Sequence, residues 1–165
     1  MPSWFERIFK GWSETYFRPP GAQSEKNLLA TCIKCGRCMT VCPYQSIKIA
    51  DWGSKYYGTP YIEPEITPCY LCMKCPEVCP TGSLRVISKE NVQMGRVQVL
   101  QKTCLSWQDD LCNLCYKRCP LQDRAIVLND DLKPVIENCV GCGVCFYVCP
   151  TKPKSIVITP QRNLS

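Results

Sequence analysis

At 165 residues the chain has room for one domain or two small ones, and it carries 16 cysteines and no histidine. Without imidazole there is no histidine general base, no Cys2His2 zinc site, no histidine-held haem and no Rieske centre, so cysteine must carry the chemistry. Composition alone leaves disulfides, zinc and iron–sulfur clusters open, and the net charge of +6 would ordinarily suggest an acidic partner.

The chain opens Met1-Pro2-Ser3-Trp4, without the basic region and apolar core of a secretory signal, and it holds no Arg-Arg pair. No run approaches the roughly 18 to 20 consecutive apolar residues that span a bilayer. The expectation is a cytoplasmic protein, membrane-associated only through a partner, and periplasmic only if exported with one. Residues 1–17 read as an amphipathic helix. Ser3 with Glu6 forms a capping box, and Trp4, Phe5, Ile8, Phe9, Trp12 and Tyr16 fall near one face with Arg7 and Lys10 opposite. Such a face packs on the protein's own surface or docks on a membrane or partner subunit; docking is expected, because the cysteine-rich loops that follow offer little apolar surface to cover.

From Cys32 onward the cysteines fall into four groups with none left over: Cys32, Cys35, Cys38, Cys42; Cys69, Cys72, Cys75, Cys79; Cys104, Cys112, Cys115, Cys119; and Cys139, Cys142, Cys145, Cys149. Each group ends in Cys-Pro. Three follow the C-x2-C-x2-C-x3-C-P run of two-cluster ferredoxins, and the third widens its first gap over Leu105 to Leu111. Three cysteines on a tight loop wrap one cubane, while the fourth is carried by the next turn to the neighbouring cluster. Pro43, Pro80, Pro120 and Pro150 hold the preceding cysteine in extended geometry. Gly36, Gly141 and Gly143 let backbone N–H groups approach the cluster sulfurs.

A short β-like run follows each Cys-Pro: Ser46–Ile49, Ser83–Ile87, Ala125–Leu128 and Ser155–Ile158. Tyr61-Ile62, Arg96–Leu100 and Pro134–Ile136 precede the second, third and fourth groups, and Asn129-Asp130-Asp131 suits a hairpin turn. The repeating unit is half a ferredoxin. The fold class is therefore α+β, two ferredoxin-like modules built from four half-ferredoxin repeats around a cluster-centred core. The expected organisation is residues 1–17 as the helix, 18–95 as the first two-cluster module and 96–165 as the second, with the polar stretch Ser88 to Gly95 as linker. Folding and metal binding should be coupled.

The short link from Cys119 to Cys139 favours pairing the third and fourth groups by loop-closure entropy, leaving the first and second together. Crossed ligation then gives Cys32, Cys35, Cys38 with Cys79; Cys69, Cys72, Cys75 with Cys42; Cys104, Cys112, Cys115 with Cys149; and Cys139, Cys142, Cys145 with Cys119. A nested alternative pairs the first group with the fourth and the second with the third.

Disulfides are disfavoured because cysteines two residues apart bridge poorly, and zinc ribbons need paired C-x2-C knuckles set further apart. Four oxidised [4Fe-4S] clusters at about −2 each with their thiolates would bring the net charge to about −2, so the basic excess is internal compensation and implies no nucleic-acid partner. Four ligands per cluster leave no open iron and no free thiol, hence no catalytic residue and no small-molecule substrate. The expected function is to relay single electrons between a membrane or quinone-linked redox protein and a partner oxidoreductase. A freestanding diffusible polyferredoxin and an iron–sulfur subunit with a catalytic role in a larger enzyme are the alternatives. Lys34, Arg37, Lys74, Lys117, Arg118 and Lys152 lie by the loops, where they compensate charge or dock an acidic redox partner. Trp52, Tyr56, Tyr57 and Trp107 read as packing residues.

The chain resembles the MauM/NapG ferredoxin-type family through Arg18-Pro19-Pro20-Gly21-Ala22, Cys32-Ile33-Lys34-Cys35-Gly36, Cys42-Pro43-Tyr44, Gly58-Thr59-Pro60-Tyr61-Ile62, Cys79-Pro80-Thr81-Gly82, Met94-Gly95, Thr103-Cys104-Leu105, Cys115-Tyr116 and Cys139-Val140-Gly141-Cys142-Gly143. The resemblance covers most of residues 18–160. It implies four [4Fe-4S] clusters passing electrons between a quinol-linked iron–sulfur protein and a terminal enzyme, in systems such as periplasmic nitrate reductase and methylamine dehydrogenase. Two features depart from the family: the aromatic N-terminal segment stands where a twin-arginine leader is usual, and the second loop, Cys72-Met73-Lys74-Cys75, is compact. A cytoplasmic-side relative serving another complex is the expectation.

Overall fold

The computed structural model describes residues 16–161, so the predicted amphipathic helix, apart from Tyr16 and Phe17, lies outside the described residues. Phe17 already belongs to the folded body: its carbonyl accepts the Ile62 N–H at 2.8 Å and its ring lies against Gly95. The first helix, α1 (Glu25–Thr31), begins where extended Ser24 accepts the Asn27 N–H on its hydroxyl at 3.1 Å. This helix was not expected from the residues. Its only buried residue is Leu28, so it has no apolar period to read, and the cap at Ser24 followed by acidic Glu25 was its signal.

Short strands alternate with equally short helices: α2 (Arg37–Val41), β1 (Ile47–Ile49), β2 (Pro60–Ile62), α3 (Lys74–Glu77), β3 (Gly95–Val99), α4 (Leu114–Lys117), β4 (Ile126–Leu128), β5 (Pro134–Ile136), α5 (Val144–Val148) and β6 (Ile156–Pro160). The mixture is α+β. Strand β1 pairs antiparallel with β2, Ile47 opposite Ile62, and β4 with β5, Ile126 opposite Ile136. Strand β3 reaches across to β6, Gly95 opposite Pro160 and Val99 opposite Ile156. In β3, Gly95 and Val97 are buried while Arg96 and Gln98 are exposed, the period-two pattern of a strand covered on one face.

The turn at 129–131 forms as expected, with Asn129 Oδ1 accepting the N–H groups of Asp131 and Lys133 at 3.1 and 2.8 Å. The run Ser83–Ile87 does not become a strand. It makes one bridge, Leu84 to Ala22, and Arg85 N–H donates to Gly21 at 2.9 Å. The opposing segment begins with Pro19 and Pro20, which have no N–H, so the ladder cannot lengthen. Gly21 is required here: its φ is +86°, and a Cβ would sit 2.2 Å from the Arg85 carbonyl oxygen.

Nor does the stretch 88–95 hang free. A 3-10 turn at Lys89–Asn91 is followed by buried Val92 and Met94, and Met94 N–H donates to the Val140 carbonyl at 2.9 Å. Those two residues join Leu28, Ile47, Ile62, Leu71, Leu84, Leu121, Val140 and Val144 in one apolar core. A second core gathers Val97, Ile126 and Ile156.

Arg18 ties the start of the described chain to the β1–β2 region. Its buried guanidinium forms a two-bonded ion pair with Glu25, with Nε to Oε2 at 2.9 Å, and donates to Thr59 Oγ1 at 3.1 Å and the Pro60 carbonyl at 2.8 Å. The Tyr16 and Tyr56 rings lie 5.2 and 5.0 Å from it. Removing one partner of a buried pair leaves the other charge uncompensated, so Arg18→Met is expected to cost about 3 kcal/mol. That corresponds to roughly 6–12 °C in the thermal midpoint of the anaerobic holoprotein; a shift of under about 2 °C would show that the clasp contributes little.

Candidate metal centre

The loops are shaped by backbone before any side chain acts. In the first, Lys34 and Gly36 flank Cys35 with φ of +59° and +73°; in the second, Leu71 and Met73 flank Cys72 with +53° and +59°; in the fourth, Gly141 and Gly143 flank Cys142 with +74° and +86°. A left-handed residue on each side of the middle cysteine curls successive N–H groups toward one point, the concave nest that receives anionic groups including iron–sulfur centres. Leucine, methionine and lysine rarely adopt this backbone, and it persists where the surroundings over-determine it. The third loop departs from the pattern. Its insertion forms a 3-10 turn, Leu105–Gln108, ended by left-handed Asp109, and Asn113 after the middle cysteine keeps a φ of −133°.

Each short helix carries the third cysteine of its group, Cys38 on α2, Cys75 on α3, Cys115 on α4 and Cys145 on α5. The cysteine before proline then leaves in extended geometry, seen at Cys42 (φ −72°, ψ 110°) and Cys149 (φ −63°, ψ 124°). Backbone N–H groups donate to sulfur from Ser46 to Cys42, Leu84 to Cys79 and Gly141 to Cys139, each at 3.4 Å. Such bonds stabilise thiolate and tune a cluster.

Two cavities collect the thiols. Cys32, Cys35, Cys38 and Cys79 line one, and Cys119, Cys139, Cys142 and Cys145 line the other. The fourth cysteine of one group therefore stands with the first three of its partner group, first with second and third with fourth. Cys69 is close enough to Cys42 to feel its charge, as Cys139 feels Cys119. All sixteen cysteines are free of disulfides. Among the described residues no three Cys, Asp or Glu side chains close on a point as a single ion requires. Four thiols around each cavity, with N–H donors to Cys79 and Cys139 behind them, match the donor set of a cubane.

Burial first, then the repulsion of neighbouring thiols, pushes the acidity constants up. Cys38 and Cys115 rise to about 11 and Cys69 and Cys142 to about 12, and Cys75 and Cys145 are pushed up as well. Cys79 and Cys149 go the other way. Burial raises both, but the Leu84 N–H and Thr81 hydroxyl outweigh it at Cys79, and the Thr151 hydroxyl and N–H with the Lys154 ammonium outweigh it at Cys149. Thr151 Oγ1 lies 3.2 Å from Cys149 Sγ, and Lys154 Nζ donates to the Cys149 carbonyl at 2.9 Å. Thr81, Thr151 and Lys154 had no role expected from sequence. The Thr two places after each of these cysteines was their signal.

The six cations singled out by sequence are all exposed, and Lys34 lies over the Tyr57 ring at 5.0 Å. Trp107 packs as expected, its Nε1–H donating to the Pro134 carbonyl at 3.3 Å, and Tyr56 is buried. Trp52 does not pack; it is 88% exposed.

Residues 31–83 match the 4Fe-4S dicluster domain and residues 139–152 a 4Fe-4S binding domain. The ferredoxin-type protein NapG of Escherichia coli K12 is 35% identical over 161 residues, 87% of this chain and 70% of that protein. The chain belongs to the MauM/NapG ferredoxin-type family. The methylamine utilization ferredoxin-type protein MauM of Methylobacillus flagellatus is 32% identical over 89% of this chain and 69% of its own length, and that of Paracoccus denitrificans is 35% identical over 78% of this chain. The chain spans 64% of the Paracoccus protein, just under two thirds. The matched domains are of the 4Fe-4S ferredoxin type. Among the described residues no helix is long and apolar enough to cross a membrane.

Cluster assembly requires thiolates, so the protons held by the buried cysteines must leave as metal enters. That competition is in force wherever the pH lies below the thiol acidity constants, and it weakens as pH rises. Cobalt(II) loading of metal-free chain under argon should release protons, and its midpoint should fall to lower cobalt concentration between about pH 6.5 and 8.5. A midpoint independent of pH would contradict protonated thiols.

Proposed function

We propose that the chain holds four [4Fe-4S] clusters in two ferredoxin-like modules, residues 18–95 and 96–165, and serves as an electron relay between one-electron redox proteins. The first set of ligands is Cys32, Cys35, Cys38 and Cys79, and the second is Cys69, Cys72, Cys75 and Cys42. The third is Cys104, Cys112, Cys115 and Cys149, and the fourth is Cys139, Cys142, Cys145 and Cys119. The observation that carries this reading is the crossing of Cys79 and Cys119 into the cavities of the partner loops. Strand pairing supports the same modules, β1 with β2 and Ala22 with Leu84 in one and β4 with β5 in the other, while β3 with β6 starts at the boundary residue Gly95.

When bound, each cluster supplies a one-electron store. The protein's own part is to hold thiolates in fixed cradles, exclude water from the buried ones and set the N–H donors that bias the potential. Every cysteine is committed to a ligand set, so the chain has no substrate site of its own and works as a subunit or carrier beside a membrane or quinone-linked protein and an oxidoreductase. Its relatives bear names of methylamine utilization and ferredoxin type, and redox proteins are the partners proposed here.

Anaerobically prepared protein is expected to contain about sixteen irons per chain, four per cubane, and to show no turnover by itself. Far fewer irons, or stoichiometric zinc, would overturn the reading. Residues 1–15, with Trp4, Phe5, Ile8, Phe9 and Trp12 in helical spacing, are proposed to dock on a partner or membrane. Deleting them should leave iron content unchanged and release the protein from its native complex; unaltered fractionation would refute the docking role.

A further inference from the structure

The two modules meet along a seam that the sequence does not announce. Cys69 N–H donates to the Cys142 carbonyl at 3.0 Å, and Met94 N–H to the Val140 carbonyl at 2.9 Å. The backbone of Gly141 lies so close to Gly95 that a Cβ there would stand 2.3 Å from the Gly95 nitrogen, while Gly143 faces Pro64 at 2.6 Å by the same measure. The second loop thus meets the fourth through the Cys69–Cys142 backbone bond, and the fourth loop's glycines also admit the Gly95 backbone and the Pro64 ring.

The other contacts are equally definite. Helix α2, carrying Cys38, packs on α3, carrying Cys75, and α4, carrying Cys115, packs on α5, carrying Cys145. The first apolar core takes cysteines of the first, second and fourth loops; the second core takes Cys115 of the third loop together with Cys145 and Cys149. Cys119 and Cys139 belong to both.

We propose that the four ligand sets stand in the spatial order first, second, fourth, third, with the Cys69–Cys142 seam joining the two inner sets and the first and third loops forming the outer ends where redox proteins dock. The inference rests on the four-site reading given under Proposed function. It differs from the order along the chain: the loop that comes last in sequence is internal, and the widened third loop is terminal. Burial marks the fourth loop as internal, although Cys72 of the second loop is exposed like Cys35 of the first. The outer first loop presents exposed Cys35 beside Ile33, which is 63% exposed, and the outer third loop presents Leu111 fully exposed beside Cys112. In the fourth loop, by contrast, Val140, Gly141, Cys142, Gly143, Val144 and Cys145 are all buried.

The test uses the full-length holoprotein. Replacing the middle cysteine of a loop leaves three ligands, which hold a three-iron cluster that is paramagnetic when oxidised, so pairs of sites gain spins while the rest stay silent. Cys72→Ala/Cys142→Ala labels the proposed inner pair and Cys35→Ala/Cys112→Ala the outer pair. The expected result is dipolar broadening of the oxidised electron paramagnetic resonance signal in the inner pair, and lines as narrow as in the single variants in the outer pair. Broadening in the outer pair would overturn the order. If the inner double variant does not fold, Cys72→Ala/Cys112→Ala decides instead: those two sets are neighbours in chain order and are separated by the fourth set in the proposed order, so broadening there would overturn it. Iron analysis separates the two levels: unaltered protein far short of about sixteen irons takes down the four-site reading and the order with it, whereas full iron with strong outer-pair coupling takes down the order only.

Discussion

Everything in this fold depends on holding negatively charged sulfur in a buried place. A buried thiol resists ionisation, as the raised acidity constants of Cys69, Cys75, Cys142 and Cys145 express, and only a strongly bound cation with oriented donors reverses that resistance. The left-handed pairs around Cys35, Cys72 and Cys142 supply the donors from backbone, which cannot rotate away. Helices of four or five residues and strands of three to five are too short to stand by propensity; they exist because they bring cysteines to the rim of each cavity.

Two phrases that mark the family prove to be one device. Arg18 of the Arg-Pro-Pro-Gly segment donates to Thr59 and Pro60 of the Gly-Thr-Pro-Tyr segment. Gly58 of the second phrase leaves room for the Lys34 side chain, whose carbons a Cβ there would meet at 2.6 Å. The clasp thus leads directly to the first cysteine loop. Pro19 and Pro20 are fully buried and present no N–H, which lets an irregular segment cross the core without orphan donors.

The cysteine loops and most strands were legible because the four cysteine groups share one phrase and a strand imposes period two; Ile47, Ile62, Ile126 and Ile156 all lie where alternation put them. Helix α1 was not, since Leu28 alone faces the core, and Ser83–Ile87 misled because its partner's prolines are read only once the pairing is known. Trp52 and Trp107 look alike in sequence, yet one is solvent-facing and the other is fastened by Pro134 to the β4–β5 hairpin. The seam could not be read at all. Gly141 serves the nest of its own loop, and nothing in a linear pattern tells that the same atom position also admits Gly95.

The first apolar core draws Leu28 and Leu84 from one half of the chain and Leu121, Val140 and Val144 from the other. A half produced by itself would uncover this surface, so the halves are not separable units despite their internal likeness. Disorder starting in either half would therefore reach the other through the core they share.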